Sequence, residues 1–221
     1  MRFDIISIFP ELLKTFKETG LLKKARDKNL LSINIYNPRD CAKPPHFVVD
    51  DYPYGGGPGM VMKVEPIVEC VEAIEFASDE KKLILITSPL GKIFNQKIAR
   101  EFINLDRIVI ICGRYEGIDE RVREIFNAEY ISCGEYILMG GEVAAMVIIE
   151  SVARLIPGVI GNEESLIDES YKENFLEYPQ YTRPRTYRGY NVPEVLLTGD
   201  HERIKDFREK QKRRYSFDEQ T

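Results

Sequence analysis

Residues 107–121 read RIVIICGRYEGIDER, and the fold turns on them. Residues 108–112 form a continuous apolar run of strand length, rich in β-branched side chains, and Gly113 ends it at once. A run without polar alternation fits a strand covered on both faces, as in a parallel sheet. Working outward, comparable runs occupy 3–9, 31–36 and 83–87, with a shorter one at 128–132. Helical periodicity fills the intervals at 11–25, 65–76 and 95–103. Strands alternating with helices predict an α/β fold on a mainly parallel sheet. The stretch 142–155, EVAAMVIIESVARL, is apolar on nearly every face, so it is expected to be buried or to form an interface. Further on, 200–215 reads as an amphipathic helix with Asp200 as N-cap and Ile204, Phe207 and Gln211 on one face.

In an open α/β sheet, ligands bind beyond the carboxyl ends of strands, so the loops there are the place to look for a site. Three carry glycine: SPLG at 88–91, GRYEGIDER at 113–121, and CGEYILMGGE at 133–142. Any one alone is an ordinary tight turn. Three in one sheet point to a pocket where backbone approaches a ligand closely. None is a GxGxxG opening a helix or a GxxxxGK[ST], so neither a dinucleotide fingerprint nor a P-loop is supported. Tyr115, Tyr136 and the apolar residues near them suit a purine-bearing ligand. A fourth loop, VDDYPYGGGPGM at 49–60, has four glycines and two prolines and is expected to form neither helix nor strand. Lid, anion cradle and linker all remain open for it.

The segment 157–185 has no clear period. A connection that long inside a compact domain is disordered or functional. Phe175, Leu176, Tyr178 and Tyr181 argue against disorder, and Asp168, Glu169 and Glu177 beside Arg183 and Arg185 suit a segment that orders over a ligand. Net charge is −5, which weighs against a polyanionic partner until its distribution is read. Residues 183–215 hold ten Lys and Arg against five Asp and Glu, +5, leaving −10 elsewhere. That asymmetry fits either a nucleic-acid-binding tail or a solvated helix. Cys41, Cys70, Cys112 and Cys133 make no CxxC pair and read as reduced, small hydrophobes of a cytoplasmic protein. No apolar run is long enough for a membrane span, and residues 1–10 read as a first strand, not a signal peptide.

VDDYPYGGGPGM, CGRYEGIDERV, CGEYILMGGE, SVARLIPGV, LEYPQYTRP and VPEVLLTGDH resemble, in order, the signatures of the bacterial tRNA (guanine-N1)-methyltransferase family. The likeness runs from IISIFPE to the C-terminal helix. It implies a SPOUT-type sheet with a deep trefoil knot, although true knots are nearly absent among folds. It implies a knotted cofactor domain over 1–160, a linker over 161–172 and a small, mostly helical tRNA-binding domain over 173–221. S-adenosylmethionine would be held by Ser88, Pro89, Gly113, Tyr115, Glu116, Cys133, Gly134, Glu135, Tyr136, Ile137, Leu138, Gly140 and Gly141. Members are homodimers whose active sites are shared between subunits.

The implied reaction methylates N1 of the guanosine immediately 3′ of the anticodon, position 37. That nitrogen bears a proton, so a general base must reach it, and a cation aimed at O6 would stabilise the developing charge. The resemblance assigns the cation to Arg154, which on sequence alone would offset the dipole of its own helix. Where the family has an acidic residue, Asp, Ser and an aromatic, this chain has Asp168-Glu169-Ser170-Tyr171. Glu169 aligns with the base without a gap, and Asp168 is the alternative. Met139 and Ala144 stand where Ser and Pro are commoner. The family's Mg2+ dependence makes Glu116, Glu169 and Glu177 carboxylate candidates, with no ligand spacing to support them. Arg183, Arg185, Arg208, Lys212, Arg213 and Arg214 are candidate phosphate contacts to tRNA. Two rival readings are a ribosomal-RNA methyltransferase on the same fold and an inactive RNA-binding module.

Overall fold

The computed structural model describes residues 1–161 and 175–214. The chain divides into two compact units, 1–161 and 162–221. In the first, the elements run β1 (Arg2–Ile6), α1 (Pro10–Lys17), α2 (Gly20–Asp27), β2 (Ser32–Tyr36), α3 (Pro38–Cys41), β3 (Asp50–Asp51), β4 (Val61–Met62), α4 (Val64–Glu72), β5 (Lys82–Ile93), α5 (Gln96–Phe102), β6 (Arg107–Cys112), α6 (Glu120–Phe126), β7 (Glu129–Ser132) and α7 (Glu142–Ala153).

The main sheet has the order β2-β1-β6-β5-β7, and every pairing in it is parallel. All six residues of β6 are buried, as the unbroken apolar run predicts. Alternation along it splits the core in two. Ile108, Ile110 and Cys112 join residues of α1, α2, α5 and α7, whereas Val109 and Ile111 join residues of α4 and α6. Asp4 is a charge at the centre of this sheet and is fully buried. Arg107 Nη1 donates to it at 2.7 Å, Arg107 Nε reaches Glu80 at 2.8 Å, and Asn34 Nδ2 donates to Asp4 at 2.7 Å. Removing one partner of such a buried pair costs about 3–5 kcal/mol, so β1, β2 and β6 are tied in a fixed register.

Several expected boundaries move, for local reasons. The helix read over 11–25 breaks into α1 and α2, because Gly20 is left-handed at φ +59. The helix read over 65–76 ends at Glu72, although Ile74 stays in the core. The run 83–87 continues to Ile93, but Thr87 and Lys92 both oppose Ile131 on β7, so residues 88–91 leave the ladder as a loop. Gly91 lies against the β7 backbone, where a Cβ would collide with Ile131 and Tyr130. The window 49–60 is not strand-free: Asp50–Asp51 pairs antiparallel with Val61–Met62, which makes the glycines a hairpin tip. α3 and α6 have no counterpart in the sequence reading.

The second unit is small and lightly covered. It contains β8 (Phe175–Leu176), β9 (Thr186–Tyr187), β10 (Tyr190–Asn191), a 3₁₀ turn at Glu194–Leu197, α8 (His201–Gln211) and β11 (Arg213–Arg214). β9 pairs with β10, and β11 with β8. Asp200 caps α8, accepting from Arg203 N at 3.1 Å. The helix expected to 215 stops at Gln211, which is exposed, and the chain extends to pair with β8. Ile204 and Phe207 share the half-buried face.

Candidate functional site

The carboxyl-end loops of β5, β6 and β7 converge on a cleft of about 480 Å³ in the first unit. Parallel pairing puts all three strand ends on one edge of the sheet, so their loops must meet there. Of the predicted cofactor residues, Ser88, Pro89, Gly113, Tyr115, Glu116, Cys133, Tyr136, Ile137, Leu138, Gly140 and Gly141 line this cleft; Gly134 and Glu135 do not. Gly134 instead anchors the loop, exchanging hydrogen bonds with Ser132 Oγ through both its N–H and its C=O.

The loop at 133–141 is held down by charge. Glu142, the first residue of α7, is fully buried. One carboxylate oxygen accepts from Ser7 Oγ at 2.7 Å, and the other from Arg114 Nε at 2.8 Å. Arg114 Nη2 pairs with that same oxygen at 2.8 Å, Nη1 donates to Met139 O at 3.2 Å, and the guanidinium sits 4.4 Å over the Phe9 ring. Gly140 lies under the Arg114 side chain, and Gly141 packs onto Thr87 Oγ1 and the backbone of residues 112–113; neither has room for a Cβ. Gly141 N donates to Gly113 O at 2.8 Å. These two glycines are therefore needed for close approach. Burial and the neighbouring Glu142 carboxylate push the Cys112 thiol pKa well up, so it stays protonated.

The hairpin of β3 and β4 docks on the 113–121 loop. Glu116 N donates to Met60 O at 2.9 Å, Met62 N to Gly117 O at 2.9 Å, and Asp119 N to Met62 O at 3.0 Å. Tyr115 is left-handed at φ +58, an uncommon conformation for a residue with a side chain. Burial and the Asp50 carboxylate of the hairpin raise its phenol pKa, with Arg39 opposing. The cleft and the glycine-rich tip are thus one assembly. Asp119 caps α6 and binds Arg121 through N, Nε and Nη2, which lowers its pKa.

The other predicted residues scatter. Arg154 is the C-cap of α7, ten positions along from the cleft-lining Ala144, which is about 15 Å at helical rise. Asp168 and Glu169 lie outside the described residues. Among the described residues no group of three or more His, Cys, Asp or Glu could hold a metal ion. Glu116 lines the cleft and Glu177 belongs to the second unit. In that unit Arg183, Arg185 and Arg208 line a second cleft of about 520 Å³, Lys212 pairs with Glu209, and Arg213 and Arg214 are exposed on β11. No helix among the described residues is long and apolar enough to cross a membrane. The sequence reading missed Arg114, Glu142 and Ser7; the one available signal was a carboxylate opening an otherwise apolar helix.

Comparison with known proteins fits this architecture. The family described as tRNA (Guanine-1)-methyltransferase TrmD matches residues 1–220. A Carboxydothermus hydrogenoformans protein is 52% identical over 96% of this chain and 82% of its own length. One from Dictyoglomus turgidum is 50% identical over 98% and 87%, and one from Geotalea uraniireducens 48% over 96% and 85%. All three are named tRNA (guanine-N(1)-)-methyltransferase.

Proposed function

Because this chain belongs to the tRNA (guanine-N1)-methyltransferase family and is a transferase, we propose that it methylates N1 of the guanosine at position 37 of tRNA, in the cytoplasm, as a homodimer. The observation that carries the reading is the convergence of three glycine-bearing loops on one cleft, in a chain matched by the family from end to end. The cleft suits S-adenosylmethionine. Its volume falls within the range of small-ligand pockets, Tyr115 and Tyr136 offer ring faces, and Gly140 and Gly141 leave backbone with no Cβ in the way. When bound, S-adenosylmethionine supplies an electrophilic methyl group.

The protein's own residues then have three tasks. The strand-end loops bind and orient the donor, with Arg114 and Glu142 keeping the 133–141 loop seated. A carboxylate takes the N1 proton; Glu169 is assigned that role, with Asp168 as the alternative. Arg154 stabilises the negative charge that proton loss pushes onto guanine O6, its planar donors suiting that oxygen. The basic stretch 183–215 of the second unit holds the anticodon arm. No step is assigned to Mg2+, since the described residues offer no ligand set for it.

Two features support sharing the active site between subunits. Arg154 lies about 15 Å along α7 from Ala144, the last cleft-lining residue on that helix, which is further than an arginine side chain reaches. Val143 and Val147 form an exposed apolar stripe on α7, beside a loop whose Ile137 and Met139 are 80% and 94% exposed, which suits an interface between copies. The trefoil knot is part of the same reading, and the close packing of Gly141 against residues 112–113 and Thr87 is consistent with it. The test is single-turnover methyl transfer to tRNA transcripts with guanosine or adenosine at position 37, with Asp168→Asn and Glu169→Gln assayed separately. Transfer to guanosine N1 that Glu169→Gln abolishes is expected. Transfer that survives both substitutions refutes the carboxylate mechanism, and no transfer to tRNA refutes the function.

A further inference from the structure

The second unit has no fully buried residue among those described, yet it encloses a cleft of about 520 Å³. Ile204 and Phe207 of α8 line it together with Tyr178, Tyr181, Arg183 and Arg208. The Arg208 guanidinium sits 4.9 Å over the Tyr178 ring, forming a flat cationic and aromatic ledge. Arg185, which also lines the cleft, is occupied by Glu194 at 2.6 and 2.8 Å. Arg183 and Arg208, by contrast, make no ion pair among the described residues, so no carboxylate offsets their charge at the cleft.

A groove that only tracked phosphates would need cations on an open surface, not half-buried apolar and aromatic walls. Aromatic faces, an apolar lining and guanidinium groups without a carboxylate partner together are the chemistry of nucleobase stacking on single-stranded RNA. A protein partner would have to bring carboxylates to both arginines as well as apolar cover, whereas RNA carries a flat base and its anionic phosphate in one unit. Resting on the methyltransferase reading, we propose that this cleft binds one unstacked nucleobase of the anticodon loop, other than the methylated one. Tyr178 stacks on its face, and Arg183 pairs with the adjoining phosphate. The second unit would then read the loop's conformation as well as its charge.

The test uses full-length protein and tRNA transcripts carrying a single 2-aminopurine at each anticodon-loop position in turn. One position besides 37 should change fluorescence strongly on binding, as its stacking partner changes from neighbouring bases to Tyr178. Tyr178→Leu, which keeps bulk without a ring, should abolish that signal and raise the KM for tRNA roughly 5- to 150-fold. Tyr178→Phe should retain the signal. Because no phosphate contact is lost, the slope of log affinity against log salt should stay the same in Tyr178→Leu, whereas Arg183→Ala should lessen it by about one. The proposal is overturned if no second position responds, or if Tyr178→Leu binds tRNA like the parent. It is also overturned if Tyr178→Leu alone turns a dimer into a monomer by sedimentation, since a second copy of the chain would then be the occupant. Wild-type protein that gives the second signal but transfers no methyl group would sink the methyltransferase reading and leave the pocket standing.

Discussion

Glu142→Gln isolates the clamp beneath the 133–141 loop. The amide matches the carboxylate in shape, so no cavity opens; what changes is one charge and one acceptor. In the parent, Glu142 is fully buried, with Ser7 Oγ at 2.7 Å on one oxygen and two Arg114 nitrogens at 2.8 Å on the other. An NH2 facing Arg114 sets a donor against donors, and one facing Ser7 makes the hydroxyl turn to accept; in both cases Arg114 loses its buried anionic partner. Loss of a hydrogen bond to a charged group is worth about 1.5–3 kcal/mol, and loss of a buried ionic partner about 3–5 kcal/mol. The Arg114 side chain is 19% exposed and can turn partly to water, so the lower range, about 1.5–3 kcal/mol, applies. With a urea slope of about 2–3 kcal/mol/M, the unfolding midpoint should fall by about 0.5–1.5 M. The chain has no tryptophan, so far-UV circular dichroism is the suitable probe. Arg114 also holds Met139 O and covers Gly140, so the loop at 133–141 should loosen with it. If about half the cost falls on that loop, S-adenosylmethionine should bind about 4- to 13-fold more weakly by calorimetry. Unchanged stability together with unchanged affinity would refute the clamp.

Three further outcomes follow from the same geometry. Arg154→Ala and Gly141→Ala should each be nearly inactive as homodimers, the second because its Cβ would stand 2.9 Å from both Cys112 Cα and Gly113 N. Mixed one to one with free exchange, half the dimers are hybrids with one intact shared site, so about a quarter of wild-type methyl transfer should return; none returns if Arg154 serves its own chain. Asp119, its pKa held below the usual carboxylate range by Arg121, stabilises the fold above the unfolded value near 3.9, and this is lost as pH falls through the lower folded value. Asp119→Asn should therefore lose less stability than the parent in urea titrations between about pH 5 and 3. Burial pushes the Cys70 and Cys112 thiols up, so iodoacetamide at about pH 8 should label only the partly exposed Cys41 and Cys133 by mass spectrometry, and S-adenosylmethionine should protect Cys133.

The sheet was legible because burial writes itself as unbroken apolar runs. Residues 108–112, 31–36 and 128–132 fall within a residue or so of β6, β2 and β7. The strand-end glycines were legible for the same reason, since topology then fixes which loops meet. What stayed hidden were effects of tertiary partners. The bend at Gly20 depends on a left-handed φ that the apolar period of 11–25 overrides on paper. The Asp50–Asp51 pairing with Val61–Met62 needs a long glycine tip to bring its ends together, and composition alone argued against strand there. Arg114 and Glu142 are 28 residues apart, and nothing local couples them. Asp168 and Glu169 lie outside the described residues, so the choice between them rests on sequence register.

Placing β1 mid-sheet has a cost during synthesis. Its first neighbour, β2, is made soon after it, but the other edge waits for β6, and Asp4 waits for Arg107, 103 residues later. At translation rates of about 5–20 residues per second, that leaves a hydrophobic strand edge uncovered and the Asp4 carboxylate without its cation, held only by Asn34 and Tyr36 of β2, for about 5–20 s. A nascent chain of this protein should thus be a client for ribosome-associated holdases until the sixth strand has left the exit tunnel.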